Sequence, residues 1–337
     1  MADHYSYFRR FGIYPSRFGN LFLRQLDSLQ VNPAVTKAMV TPGGALDRHF
    51  ITSAYAEPMV KVSTADFLGV FGNAAQNNSG GGSFNGLSLD NGYAVDAIGA
   101  NGGTTTPTAI IQHQARQDGG SFWASNLGKH HVITSQKGWL GCESITCQQD
   151  DEKPASIALN YYALTAQGEM PFTPNAAATL TSTPNFGGAW FLGPVVMESE
   201  GTAEFVGVTG HTVTPGLRYQ PRRADGANFA SVGSILSRQP SIKMNFLDMQ
   251  EYNIYYGNLM GALQDEDSYI NLYYQAGLAG QQRVAPGVAE HVLIYASLAM
   301  VTPEDISVQG NEDVGMSITI DLMQESLGLQ VGVAIPT

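Results

Sequence analysis

Gln114–Leu159 aligns without a gap with Gln275–Ile320, every position matching the one 161 residues later. Gln114 and Ala115 fall on Gln275 and Ala276, His130 on His291, and Ile133 on Ile294. Glu143 falls on Glu304, Ile145 on Ile306, Gln148 on Gln309, and Ser156-Ile157 on Ser317-Ile318. The acidic cluster Asp150, Asp151, Glu152 lands on Asn311, Glu312, Asp313. Identity held at one offset through several turns demands the same local structure in both places.

The pattern specifies that structure. Ser317, Thr319 and Asp321 alternate with Ile318, Ile320 and Leu322. Ser156, Ala158 and Asn160 alternate with Ile157, Leu159 and Tyr161. A period of two fits a half-buried strand, whose successive side chains point to opposite faces. A slip of one residue in either copy would turn its apolar set to solvent, so both copies share one register.

Upstream, the match continues with gaps. Phe22-Leu23 resembles Phe191-Leu192, Val40-Thr41-Pro42-Gly43 resembles Val213-Thr214-Pro215-Gly216, and Pro58-Met59-Val60-Lys61 resembles Pro240-Ser241-Ile242-Lys243. Ser63 stands three residues before Asp66, and Asn245 three before Asp248. Each pair is similar to a capping box, with Asp for the usual Glu or Gln, and predicts a helix of two to four turns closed by glycine. The expected unit is strand, strand, capped helix, strand, strand, acidic turn, strand. The chain then reads as mainly β: two tandem homologous β-sandwich or barrel-like domains, 18–165 and 187–337, each with one short helix and its own core.

Three segments fall outside this unit. Residues 1–17 form an aromatic and basic arm, in which Arg9, Arg10, Phe11 and Tyr14 are candidates for clamping a neighbouring subunit or folding back on their own domain. A Gly/Asn-rich insert spans about 73–108, and the second copy crosses the same place through Gln264–Ser268. Residues 166–186, with several Pro and Thr, read as a linker. In the second copy Arg222 and Arg223 concentrate positive charge and are further candidates for inter-subunit contact.

Charged residues make up only 14% of the chain and its net charge is −12. So little charge suggests a surface covered by other subunits. The acidic balance excludes a protein that grips phosphates through a basic face. Cys142 and Cys147 fall on Pro303 and Val308, so the shared fold needs no sulfur, and their spacing forms no metal motif. They read as reduced packing residues. The N-terminal segment has no secretory apolar stretch and no run reaches membrane-span length, which points to assembly in the cytoplasm without a membrane.

No catalytic site, cofactor site or metal site is expected. His130 and His291 each lack a partner at ligand spacing, and the acidic cluster lacks the alternate-position pattern of a calcium loop. Nucleophile-elbow and dinucleotide fingerprints are absent from the sequence.

Two segments resemble the tail tube (major tail) proteins of long-tailed bacteriophages. One runs from Gln239-Pro240 through Asp248 to Asn258-Leu259-Met260-Gly261; the other runs from His291 to Met323 and includes Val301-Thr302-Pro303-Glu304-Asp305-Ile306. The likeness is one of pattern over most of each copy, and the aromatic arm and the insert depart from it. The resemblance implies a virion protein whose strands join those of its neighbours in an inner barrel. With two fused copies it implies a homotrimer of near-sixfold symmetry, stacked into a hollow tail that conducts viral DNA, with other tail proteins as partners. It places the protein in the virion tail after assembly in the bacterial cytoplasm. Asp150, Asp151, Glu152, Glu312 and Asp313 are then candidates to face the lumen or the next ring.

Two other readings stay open. A double jelly-roll capsid protein also has two β domains and forms pseudo-hexagonal trimers, but needs about eight strands per domain. A glycan-binding or hydrolytic β-sandwich would need an aromatic platform, for which Trp123, Trp139 and Trp190 are candidates.

Overall fold

The computed structural model describes residues 11–33, 35–40, 50–72, 86–95, 109–117, 120–149, 153–165, 170–181, 188–198, 202–205, 207–223, 227–246, 269–277, 283–297, 299–303, 316–323 and 327–336. Among them the chain is mainly β. It opens with β1 (Phe11–Phe18), β2 (Leu21–Leu23), β3 (Leu26–Asn32), β4 (Val35–Val40), β5 (Phe50–Ala56) and β6 (Met59–Thr64). Then come α1 (Phe67–Phe71), β7 (Tyr93–Val95), β8 (Ala109–Ala115) and β9 (His130–Ser135). The first half closes with β10 (Lys137–Gln148), β11 (Ser156–Leu164) and β12 (Thr173–Ala178). The second half starts with β13 (Ala189–Glu198), β14 (Thr202–Phe205), β15 (Val208–Thr214), β16 (Leu217–Arg222), β17 (Val232–Arg238) and β18 (Ser241–Phe246). It ends with β19 (Tyr269–Gly277), β20 (His291–Ala296), β21 (Ala299–Pro303), β22 (Met316–Leu322) and β23 (Leu327–Val333).

Two five-stranded antiparallel sheets have the orders β2-β1-β8-β9-β12 and β14-β13-β19-β20-β23. A nine-stranded sheet draws on both halves in the order β3-β6-β11-β10-β15-β18-β22-β21, with β7 also paired to β10. The hairpins β4–β5 and β16–β17 each form a two-stranded sheet. One apolar cluster runs through both halves, from Phe18 and Ile111 to Ile294 and Leu329, where separate cores were expected. The continuous large sheet explains this, since its apolar face gives neither half a boundary. Each fully buried Ile, Leu or Val on that face contributes about 1.5–3 kcal/mol relative to exposure.

Alternation decides the register as the sequence predicts. Along β22, Ile318, Ile320 and Leu322 are buried while Ser317, Thr319 and Asp321 face outward. Along β11, Ile157, Leu159 and Tyr161 are buried while Ser156, Ala158 and Asn160 are partly exposed.

The upstream strands revise two sequence matches. In the β3–β6 pair the register shifts between Leu26 and Ser28; in the β15–β18 pair it shifts between Val208 and Gly210. Residues 182 apart therefore take the same place, and the agreement continues through the hairpins, where Lys37 lies opposite Ser53 and Tyr219 opposite Ile235. Val31, not Val40, holds the place of Val213; Val40 instead pairs with Phe50 far along the β4–β5 hairpin. Phe22-Leu23 belong to β2, whereas Phe191-Leu192 lie on β13 opposite Gln275 and Tyr274.

The arm and linker are also structural. β1 pairs with β8, so residues from Phe11 onward are an inner strand of a sheet. β12 pairs with β9 and falls inside the expected linker. The insert sends Leu87, Leu89 and Val95 into the core and lays β7 against β10.

Helix α1 has five residues, shorter than expected. Its N-cap is Asp66, whose Oδ1 accepts from Gly69 N at 2.9 Å and whose Oδ2 accepts from Arg24 N at 2.9 Å. Ser63 is not the cap: it lies on the outer face of β6, its Oγ 3.0 Å from that of Ser156. Gly72, at φ 93°, ends the helix in a conformation that favours glycine. Asn245 holds the place of Ser63 on β18, opposite Ser317. Asp248 and the second expected helix lie outside the described residues.

Candidate assembly interface

The halves of the large sheet meet edge to edge at β10 and β15. Ile145 lies opposite Val213, Thr146 opposite Thr212, Cys147 opposite His211 and Gln148 opposite Gly210. An antiparallel ladder of this kind satisfies backbone N–H and C=O groups that an open edge would leave to water. At the outer ends of the sheet, β3 has β6 as its described strand neighbour and β21 has β22. These two ends are the features of the fold suited to strand addition.

One face of the sheet is apolar and buried; the other carries short polar side chains. Ser63 meets Ser156, Thr212 Oγ1 lies 3.5 Å from Thr146 Oγ1, and Asn160 Nδ2 donates to Glu143 at 3.2 Å. Lys61 and Lys243 stand on this face with Glu143 and Asp321, two charges of each sign. A surface so balanced lacks the cationic excess that holds a phosphate backbone.

The β16–β17 hairpin leaves the sheet and lies across the first half. Tyr219 stacks on Trp139 with ring centroids 4.3 Å apart and planes 3° from parallel, and meets Tyr162 at 5.4 Å. Gly233, opposite, leaves the space that the Tyr219 ring fills. Thr165 N donates to Ala230 O at 2.9 Å, and Arg238 donates to Asn91 Oδ1. Offset-stacked aromatic groups contribute about 0.5–1.5 kcal/mol beyond their burial.

His130 and His291 are matching staples. Ala115 N donates to His130 Nδ1 at 3.0 Å, and Nε2 lies 2.8 Å from Ala124 O. Ala276 N donates to His291 Nδ1 at 3.0 Å, and Nε2 lies 3.0 Å from Ala285 O. Accepting at Nδ1 leaves Nε2–H to donate, so each ring is neutral and tied to backbone on both sides. Gln114 Nε2 to Trp123 O and Gln275 Nε2 to Val284 O repeat the same loop anchor at 2.9 and 2.8 Å.

The other candidates separate. Tyr14 is 5% exposed and packs with Val132 and Leu180 in its own half, the folded-back alternative for the arm. Phe11 is 42% exposed, with its ring 6.0 Å from His131. Arg222 and Arg223 are exposed near the end of β16. Arg9, Arg10, Asp150, Asp151, Glu152, Glu312 and Asp313 lie outside the described residues. Cys142 and Cys147 are free and buried; burial raises both thiols, Cys147 to about 12 and Cys142 further, so neither is a thiolate at neutral pH. Trp139 and Trp190 are buried, and Lys129 Nζ covers the Trp123 ring at 3.7 Å, which leaves no open aromatic platform among the three. A groove lined by Gln148, Lys153, Leu192, Pro194 and Arg283 gathers two cations and no carboxylate. Among the described residues no three His, Cys, Asp or Glu side chains converge on a metal position, and no helix is long and apolar enough to cross a membrane.

The edge-to-edge seam and the stack of hairpin on sheet were not read from the sequence. The signal for them was present in the spacing of Val31-Asn32-Pro33 from Val213-Thr214-Pro215, which matches the spacing of Pro58 from Pro240.

No family model matches this chain, and no curated protein matches it.

Proposed function

We propose that the chain is a duplicated two-domain ring subunit, a structural virion protein whose trimers stack into a hollow tail tube that conducts DNA. The observation that carries this reading is the seam. Within one chain, the last strand of the order β3-β6-β11-β10 joins the first strand of the order β15-β18-β22-β21. β3 stands to the first order as β15 does to the second, and β21 stands to the second as β10 does to the first. The same head-to-tail joint between β21 of one chain and β3 of the next generates a ring if the rotation closes.

Size favours three chains. Eight strands per chain on the main path make about 24 in a trimer; at a spacing of about 4.8 Å and a tilt of about 40° the wall is roughly 45–50 Å across. A dimer would halve the lumen area or worse once side chains are subtracted. Facing inward, the Ser/Thr/Asn surface with its balanced Lys61, Lys243, Glu143 and Asp321 lets a polyanion pass without holding it. The buried aromatic and apolar face then backs onto the two five-stranded sheets, which form the outer layer.

The test is direct. Purified protein examined by sedimentation and negative-stain electron microscopy should form trimers and hollow rods. Closed shells would favour the capsid reading, and a monomer at every concentration would refute the ring.

A further inference from the structure

Met300 and Met323 are the two most exposed large apolar side chains among the described residues, at 72% and 64%. Their places are those of Trp139 and Tyr162, 161 residues earlier. In register, Trp139 lies opposite Tyr162 in the β10–β11 pair, as Ala299 and Met300 lie opposite Leu322 and Asp321 in the β21–β22 pair, beside Met323. Trp139 is only 7% exposed, because Tyr219 of the β16–β17 hairpin covers one side and the insert near Gly92 covers the other. β21 has neither cover within the described chain: β22 is its strand neighbour, and β7 flanks only β10.

A copy of the missing cover exists in the molecule. The β4–β5 hairpin has the register of β16–β17, including the shift next to the first strand residue, and places Lys37 where the other places Tyr219. In the isolated chain β4–β5 belongs to the half whose outer edge, β3, is the open end of the sheet. We propose that the Met300–Met323 patch of one chain is the docking surface for the β4–β5 hairpin (Val35–Val40 and Phe50–Ala56) of a second copy of this chain. The proposal rests on the ring reading and names its second point of contact, outside the strand ladder. Two thioethers beneath a lysine stem replace a three-ring stack. Flexible, polarisable Met side chains suit a contact that must form between separate chains, and a Lys stem covers apolar surface while its ammonium stays in water.

The test starts from sedimentation of the wild-type chain across a concentration series. Met300→Asp and Met323→Asp, singly and together, replace exposed side chains, so melting temperature and circular dichroism should match wild type. Trimer formation should need at least tenfold more protein, most of all in the double variant. If wild type forms trimers and the double variant forms them at the same concentration, this docking surface is wrong while the ring stands; if wild type forms no oligomer, the ring reading itself fails. A second arm pairs Lys37→Cys with Met300→Cys under mild oxidation, free of interference from the buried Cys142 and Cys147. Disulfides between chains support the proposal, and their absence in an assembled trimer, or closure within one chain, overturns it.

Discussion

His211 lies opposite Cys147 at the joint between β10 and β15, and its ring meets that of Tyr274 edge-on at 5.0 Å. Both imidazole nitrogens are buried without a hydrogen-bond partner, and so is the Tyr274 hydroxyl. Three polar atoms at the join of the two halves are thus held by packing alone. An unsatisfied buried polar group costs about 1–3 kcal/mol. The matching position on β3 is Leu29, which carries no such cost.

Burial lowers the His211 pKa from an ordinary 6.5 to about 4. Between these values the unfolded chain binds a proton that the folded chain refuses. Stability is therefore full above pH 6.5 and falls as pH drops toward 4, by at most about 3 kcal/mol from this group. His211→Leu should raise the denaturant midpoint at pH 7.5. It should also reduce the loss between pH 7.5 and 4.5. Chemical melts of both proteins at the two pH values check this; an unchanged acid slope would clear His211.

The two histidine staples should behave alike. His130→Phe orphans Ala115 N and Ala124 O, and His291→Phe orphans Ala276 N and Ala285 O. Each change should cost about 2–4 kcal/mol, from two lost buried bonds. Thermal denaturation would show the two losses to be similar, since the geometry is the same.

Asp66→Ala should destabilise by about 1–3 kcal/mol, because it strips the cap of α1 and the anchor of Arg24 N together. Asp66→Asn, which keeps one acceptor oxygen, should recover about half. Ser63→Ala should have little effect, as that hydroxyl contacts only Ser156 among the bonds described for it. Urea titration of the three variants separates a cap at residue 66 from one at residue 63.

How far the sequence could be read follows from which physics leaves a mark in it. Strands with one wet face leave alternation, so β11 and β22 were legible to the residue. The histidine loop was legible because its backbone bonds require the same side chain twice, at 130 and 291. The arm was misread because β1 is aromatic and basic, while its counterpart β13 is aliphatic; their shared feature is the proline at the bulge, Pro15 and Pro194. The hairpins were missed because exposed two-stranded arms constrain composition weakly: Lys37 and Tyr219 share a place and no chemistry. Asp66 was found as part of a pair, yet Ser63 beside it follows the strand period and faces outward. Nothing in the residues marks the seam at β10–β15, since an edge joined in the folded chain has the same sequence as an edge left open.

Tyr219→Ala should expose one side of Trp139 and loosen the β16–β17 hairpin without touching the large sheet. The expected result is red-shifted tryptophan emission and a loss of about 1–2 kcal/mol, from a lost aromatic contact. Unchanged emission would mean that the hairpin does not rest on Trp139 in solution.

The ring claim is tested most directly by electron microscopy of the purified full chain at high concentration, with mass measured on the same sample. The account predicts trimers that stack into hollow rods with a lumen bounded by one continuous β wall. Particles that stay monomeric, or that close into shells, would contradict it.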